Sequence, residues 1–294
     1  MSFQVDTAFV NAYRAAVEVG FQQRGSRLRP MVRNETQNSE FEFYDRVTST
    51  AAVKVTTRHG DTPLISTPHD RRRNQLTDYD WADLIDSIDK IRMLADPTSS
   101  YVTNAVYALG RAVDDEIIAA ATGTAYSGKT GATAVVLPAA SKIAVNYVES
   151  GAAANSNLTI GKLRRARFLL DSTEANESGG LVAVVTASQI QSLLRTIEVT
   201  SSDYNAVKAL VNGEINTFMG FMFVRTERLA VASSIRKCLF WAQGGMLLGT
   251  GMDINIDVGP RRDKRNAVQV YASASIGATR MWEEKVIEVS CDES

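Results

Sequence analysis

Residues 123–130, GTAYSGKT, fit the phosphate-binding pattern G-x-x-x-x-G-K-[ST] at every fixed position. In a nucleotide-binding enzyme, backbone N–H groups of this loop would hold phosphates, Lys129 would contact the terminal phosphates and Thr130 would bind magnesium. The flanking pattern is the reverse of what that chemistry needs, because a predicted helix ends at Gly123 and a strand follows, whereas a phosphate loop begins a helix. We therefore interpret Gly123–Thr130 as a glycine-rich connector, and keep a P-loop nucleotide-binding enzyme as an alternative.

The other residues of catalytic type do not form a recognisable constellation. His59 and His69 are the only histidines, and neither has a second imidazole or thiol at metal-ligand spacing. Cys238 and Cys291 are the only cysteines and lie in different contexts, which supports neither a disulfide framework nor a zinc site. The acidic run 114–116 lies on a predicted helix, where adjacent side chains point apart, so we interpret it as solvated or as a partner for arginines of a neighbouring subunit. The sequence therefore predicts no catalytic residue, no cofactor and no metal, and a protein that is not an enzyme.

Length and composition are those of an ordinary globular protein. The chain has 294 residues, of which 45% are hydrophobic and 22% charged, and its formal net charge is −1. A near-neutral chain is not built to bind nucleic acid or an anionic membrane over its whole surface. No window approaches ~18 uninterrupted apolar residues, and no basic segment followed by an apolar one begins the chain, so we expect neither membrane spanning nor secretion.

A long helix is predicted over residues 97–121, and we expect the other elements of the chain to be arranged around it. Asp96 is a favourable N-cap, Pro97 fits the first helical position, and Gly123 lies just past the end. Apolar residues recur at helical spacing along one face, at Val102, Val106, Leu109, Val113 and Ile117. At ~1.5 Å per residue, a helix of this length suits a structural spine.

The chain before this helix has three predicted parts. Residues 1–34 form a basic, arginine-rich arm with too few apolar residues for a core of its own. A projecting hairpin follows within residues 41–67: Phe41, Phe43 and Val47 are spaced for one strand face, alternation continues over 53–57 to the turn 58–61, and residues 64–67 run back as a second strand. Because an isolated hairpin is marginally stable, we expect it to pack on another subunit or on a distant part of its own chain.

The helical predictions beside the spine are a first helix over Asp80–Leu94 and a helix capped by Thr159 and ending near Leu170. The second helix carries a basic run, Lys162, Arg164, Arg165 and Arg167, which we interpret as a solvated or subunit-pairing face.

From residue 181 the pattern changes to that of an α/β unit. LVAVV at 181–185 predicts a buried strand, Thr186 caps a helix, and an apolar strand over 218–224 is interrupted by Gly220. Strict alternation over 254–258 and again from Val268 to Ile276 predicts long late strands that return beside the spine helix.

The order of these elements resembles the major capsid protein of tailed bacteriophages, whose fold is shared with encapsulins and the floor of herpesvirus capsids. The residues that carry the resemblance are Asp80–Ile85, the entry Asp96-Pro97, residues 218–221 (FMGF) and residues 262–266 (RDKRN). The resemblance implies an α+β fold with these regions: an N-terminal arm at 1–34, an extended loop at 35–79, a peripheral domain at 80–180 with the spine at 97–121, an axial domain at 181–261, and a return to the peripheral domain at 262–294.

The resemblance also implies the function and the partners. The chain would self-assemble through hexamers and pentamers into an icosahedral shell enclosing double-stranded DNA, which it contacts weakly and without sequence preference. A separate scaffolding protein is implied because the chain has no room for an N-terminal scaffolding segment, and portal and decoration proteins are further partners. The protein would lie in the virion, after assembly in the host cytoplasm. Alternatives are an encapsulin-type shell around enzyme cargo, the P-loop enzyme, and an arginine-rich nucleic-acid binder.

Charged residues outside any catalytic pattern are the candidates for subunit contacts. They comprise arginines of the arm, the turn and nearby residues of the hairpin, the acidic run of the spine, and basic residues of the later segments: Arg24, Arg27, Arg29, Arg58, His59, Asp61, Arg71, Arg72, Asp114, Asp115, Glu116, Arg164, Arg165 and Arg262.

Overall fold

A computed structural model describes residues 22–58, 60–85, 98–174, 180–195 and 217–294. The chain divides into two compact units. Unit 1 comprises Met1–Ser26, Asp78–Ala112 and Met252–Ser275, and unit 2 comprises Arg27–Thr77, Val113–Gly251 and Ile276–Ser294.

Three helices lie in the described chain: α1 (Thr98–Thr122), α2 (Ile160–Ser172) and α3 (Ala187–Arg195). The long helix predicted over 97–121 is therefore confirmed, and it ends where Gly123 N–H donates to the Ala119 carbonyl at 2.8 Å. The cap of α2 is also confirmed, because the Thr159 side chain accepts a hydrogen bond from the Lys162 N–H. The start of α2 follows from local sequence, since a capping oxygen satisfies N–H groups that the first helical turn leaves unpaired. Asp96 and Pro97, the predicted start of α1, lie outside the described residues.

The strands are β1 (Arg33–Thr36), β2 (Phe41–Val47), β3 (His69–Gln75), β4 (Thr77–Ile85), β5 (Ala125–Ser127), β6 (Thr133–Val135), β7 (Lys142–Ile143), β8 (Leu181–Val185), β9 (Thr217–Phe218), β10 (Phe221–Arg225), β11 (Val231–Ala232), β12 (Ile235–Ala242), β13 (Met246–Arg261), β14 (Ala267–Arg280) and β15 (Val286–Asp292).

The core of unit 2 is a mixed sheet in the order β7-β15-β12-β8-β10-β9, with β11 beside β12. The strand predicted at 181–185 is confirmed as β8, and all five of its residues are buried. Its neighbour β10 runs parallel to it, and β12 runs antiparallel. Gly220 proves to be a turn residue, because Met219 and Gly220 both have positive φ angles and reverse the chain between β9 and β10. Such two-residue turns match the twist of paired strands.

A second sheet of unit 2 contains a long hairpin in the order β2-β3-β5-β6. β2 and β3 pair antiparallel from Phe41 opposite Gln75 to Val47 opposite His69. The strand spacing predicted at Phe41, Phe43 and Val47 is confirmed by β2. The strands predicted over 53–57 and 64–67 are wrong, because residues 48–58 and 60–68 contain no regular strand. The other neighbour of β3 in this sheet is β5.

Unit 1 packs one part of α1 against a sheet. β13, β14 and β4 are neighbours in that order, and Ala272 and Ala274 of β14 form a buried cluster with Ala105 and Leu109 of α1. Half-buried aromatic and aliphatic side chains complete this cluster, namely Tyr79, Trp81, Ile254 and Ile256. The prediction that late strands return beside the spine helix is therefore confirmed.

The helix predicted over Asp80–Leu94 is wrong for residues 80–85, which belong to β4. The positions of Tyr79 and Trp81 fit a strand because they alternate with exposed Asp78 and Asp80. The remainder of that prediction lies outside the described residues.

Candidate functional site

The structure contradicts the phosphate-binding interpretation of Gly123–Thr130. The helix ends before this segment, which forms β5 and the turn into β6. A phosphate loop uses the N–H groups and positive end of a helix that begins after it, but here the segment follows the carbonyl end of α1. Lys129 lies exposed on the turn.

No group of three or more His, Cys, Asp or Glu side chains that could hold a metal ion occurs in the described parts of the chain. His69 is an exposed residue at the start of β3, and His59 lies outside the described residues. Cys238 and Cys291 are both free and buried. A hydrogen bond with the Cys291 thiol, together with burial, raises the pKa of Cys238, which disfavours a reactive thiolate. Within the described ranges, no helix is long and apolar enough to cross a membrane.

The inner face of the hairpin holds a buried cluster of charges. Arg72 is fully buried and its guanidinium pairs with Glu283, which also accepts from Arg46 Nη1 at 3.3 Å and lies 3.8 Å from Arg280 Nε. Arg46 in turn pairs with Asp70 at 2.5 Å. Three guanidiniums thus share two carboxylates, and Glu283 contacts all three.

The pKa of Asp70 follows from this arrangement. Its burial alone would raise the carboxyl pKa, but hydrogen bonds from the Arg46 side chain and from backbone N–H groups outweigh burial and hold the pKa below its usual value. Burial also lowers the guanidinium pKa of Arg72 and of Arg280, and the nearby Glu283 opposes that effect. The cluster therefore keeps its charges by mutual pairing inside one chain.

The outer face of the same hairpin carries aromatic side chains. Phe41 and Tyr126 are each 39% exposed, and the Arg73 guanidinium carbon lies 5.1 Å and 4.6 Å from their ring centres. Phe43 lies opposite Arg73 on β2. A cation held over aromatic rings at these distances is attracted by their π-electron faces. The face is thus ordered although much of it is open to solvent.

The tip of the hairpin, residues 48–58 and 60–68, is exposed throughout. It includes the apolar side chains of Val53, Val55, Leu64 and Ile65, of which Leu64 is 97% exposed. Arg58 and Asp61 are exposed here without a described hydrogen-bond or ion-pair partner. Their contact with another subunit stays a prediction.

The acidic run of α1 is not the solvated face that the sequence suggested. Asp114 is fully buried, and its carboxylate accepts hydrogen bonds from the backbone N–H groups of Arg27 and Leu28 at 3.0–3.1 Å. Asp115 pairs with Arg228 of the same chain. Arg27 also donates from Nη1 to the Arg225 carbonyl at 2.6 Å. The carboxylate of Asp114 thus fixes the segment before β1.

Two of the fourteen candidate contact residues, Arg72 and Asp114, are fully buried within the chain, so we no longer regard them as contact residues. Arg71 pairs with Asp45 at 2.7 Å on the surface. The remaining candidates with described positions are exposed or half-buried: Arg24, Arg27, Arg29, Asp115, Glu116, Arg164, Arg165 and Arg262. For these, a role between subunits stays a prediction.

Lys162 is the residue that sequence reasoning misplaced most clearly. It was assigned to a solvated basic face, yet its side chain is fully buried. Its Nζ donates to the carbonyls of Val145, Ser156 and Ser290 at 2.9, 2.6 and 2.9 Å. Burial lowers its pKa. Lys162 therefore joins two loops to β15. The one sequence feature that could have predicted its burial is its position, because it lies on the same face of α2 as the buried apolar residues Ala166 and Leu170.

Comparison with known proteins identifies the family. A model of the phage capsid protein family matches residues 5–293, and the chain belongs to this family. Comparison with curated protein sequences gives no match. The family and the fold are those of structural capsid proteins.

Solved structures share the fold over almost the whole chain. The capsid of Ralstonia phage GP4 is 11% identical, with a TM-score of 0.73 over 97% of this chain and 96% of that one. The capsid of cyanophage P-SCSP1u is 15% identical, with a TM-score of 0.70 over 99% and 95%. The capsid of Helicobacter pylori bacteriophage KHP30 is 8% identical, with a TM-score of 0.70 over 97% and 95%. The expected α+β capsid fold is confirmed, and nothing favours the encapsulin or nucleotide-binding alternatives.

Proposed function

We propose that this capsid protein is the shell-forming subunit of a tailed-phage head, which assembles through hexamers and pentamers around double-stranded DNA. The observation that carries the proposal is the family match over residues 5–293. A fold shared with phage capsid structures over 95–96% of their chains also supports it.

The regions of the chain have distinct proposed roles. Residues 1–34 act as an arm and 35–79 as an extended loop, both of which reach other subunits. Residues 80–180 with 262–294 form a peripheral domain, and 181–261 form an axial domain around the centres of hexamers and pentamers. The hairpin of β2 and β3 supports the loop assignment, because it carries a long, exposed tip.

Burial of the hairpin tip would contribute to assembly. Each valine, leucine or isoleucine side chain moved from water into an apolar contact stabilises the assembled state by about 1.5–3 kcal/mol. Val55 is 76% exposed and Leu64 is 97% exposed, so almost all of that gain is still available when subunits meet.

The charge of the chain fits a container for DNA. A net charge of −1 implies few released counterions when the subunit meets DNA, so contact would be weak and non-specific. The partners in this proposal are a separate scaffolding protein, portal and decoration proteins, and packaged DNA. Assembly would take place in the host cytoplasm before the protein becomes part of the virion.

Assembly of purified subunits with the scaffolding protein of the same phage tests the proposal, by sedimentation and electron microscopy. We expect closed shells from the unaltered chain, and a loss of shells from Val55→Asp combined with Leu64→Asp. Thr57→Asp combined with Thr62→Asp is the matched control, because it adds the same two charges at exposed polar positions of the same tip. Subunits that remain monomeric with the scaffolding protein at all concentrations would refute the proposed function.

A further inference from the structure

We propose that the outer hairpin face of one copy docks on an acidic strand face of a neighbouring copy. The outer hairpin face is defined by Phe41, Phe43, Arg73, Tyr126 and Lys129. The acidic strand face is defined by Asp78, Asp80, Asp253 and Asp257. This inference rests on the proposed function, because it names the surfaces through which the shell subunits meet.

The outer hairpin face carries positive charge that the described chain does not neutralise. Arg73 contacts the rings of Phe41 and Tyr126, and neither Arg73 nor Lys129 has a carboxylate partner among the described residues. Asp45, which lies on the same side of β2 as Phe41 and Phe43, forms an ion pair with Arg71. The face therefore offers Arg73 beside aromatic rings and Lys129 on the exposed turn between β5 and β6.

The acidic strand face lies in unit 1, on the side of the sheet that does not contact α1. Ile254 and Ile256 pack on the buried cluster with α1, so strand alternation places Asp253 and Asp257 on the other side. Asp78 and Asp80 alternate in the same way with Tyr79, and all four aspartates are exposed.

Two of these carboxylates are held in place. Ser275 Oγ donates to Asp78 at 2.6 Å, and Tyr271 Oη donates to Asp80 at 2.7 Å. Neither carboxylate has a cationic partner in the described chain. Asp78, Asp80 and Asp257 carry like charges, and a cationic surface placed against them relieves the repulsion between them. Ordered carboxylates can meet that surface with little loss of side-chain freedom.

A second copy of the chain is the occupant that fits both faces. The two faces carry charge of opposite sign on the same subunit, so one copy can present its basic face to the acidic face of the next. Two different patches that complement each other produce a head-to-tail interface, which forms a ring where the rotation between copies closes. Hexamers and pentamers are rings of this type. The aromatic rings would add apolar contact beneath the charge pairs.

Charge reversal and its rescue test the pairing. The hairpin variant combines Arg73→Glu with Lys129→Glu, and the strand variant combines Asp80→Lys with Asp257→Lys. We expect each to raise the subunit concentration needed for shell assembly by at least about tenfold. Subunits that carry all four substitutions should regain assembly. Lys142→Glu, which reverses an exposed charge elsewhere in unit 2, is the control and should leave assembly unchanged.

Thermal unfolding of each unassembled variant shows whether it still folds, and only variants with an unchanged unfolding midpoint are compared. Loss in both reversed variants without rescue by their combination would overturn the pairing, as would normal assembly of either one. In both cases the unaltered chain still forms shells and the proposed function stands. Failure of the unaltered chain to assemble would instead refute the proposed function.

Discussion

Replacing Glu283 by Gln should destabilise the unassembled subunit by about 3–5 kcal/mol, the cost of removing one partner from a buried ion pair. Arg72 carries this cost, because its side chain is 0% exposed and Glu283 is its ion-pair partner. The other two arginines of the cluster keep partners: Arg46 retains Asp70, and Arg280 donates to backbone carbonyls, including that of Ala121 at 2.9 Å. The loss therefore corresponds to one buried, uncompensated guanidinium.

A second substitution makes the prediction asymmetric. Arg72→Met should cost less than half as much as Glu283→Gln, because Glu283 keeps its contacts with Arg46 and Arg280. It also removes Arg72 Nε and Nη1, which are buried without a hydrogen-bond partner. Replacing a buried charge by an apolar side chain of similar length is often tolerated when no charge is left unpaired.

Urea unfolding followed by tryptophan fluorescence measures these differences in unassembled subunits. Trp282 is a suitable reporter because the Arg46 guanidinium carbon lies 5.0 Å from its ring centre. Asp45→Asn is the control, since it breaks the surface pair with Arg71 and should cost about 0–1 kcal/mol. Equal losses for Glu283→Gln and Asp45→Asn would refute the reasoning. So would an Arg72→Met variant as unstable as Glu283→Gln.

Two further predictions concern packing and pH. Gly110→Ala should destabilise the subunit by roughly 1–3 kcal/mol, although alanine normally favours a helix, because the added Cβ would lie 2.7 Å from the backbone of the segment before β1. Gly161→Ala is the control and should cause no loss of stability, because its Cβ would meet only the flexible side chain of Glu149. Equal melting temperatures for the two variants would contradict this. Burial raises the pKa of Glu293, but hydrogen bonds from Gln189 and Arg236 outweigh burial and hold it below 4.5. The stabilisation of the fold by the Glu293 carboxylate is therefore complete above about pH 4.5 and is lost as the pH falls through the lowered pKa. Glu293→Gln should flatten the fall in the free energy of unfolding between neutral and acid pH. An unchanged slope would contradict this prediction.

The candidate site was only partly accessible from sequence. A projecting hairpin was expected and its tip is exposed, whereas the packing of that tip on another subunit stays a prediction. The strand at Phe41–Val47 was expected, but its partner was placed at 64–67 and not at β3, because β3 (HDRRRNQ) lacks the apolar alternation that marks a strand. Its alternate residues Arg72 and Asn74 are the buried ones. The same polar composition hid the buried cluster around Glu283.

The end of α1, the capped start of α2, the presence of α3 after Thr186 and the buried strand β8 were determined by the sequence alone, because capping and hydrophobic periodicity act between residues a few positions apart. Tertiary structure alone decided that β4 is a strand and that Lys162, Asp114 and Arg72 are buried. A charged side chain is buried without a large loss of free energy only where it is paired or hydrogen-bonded. Arg72 and its partner Glu283 are 211 residues apart along the chain. No local pattern can specify a pairing across that separation.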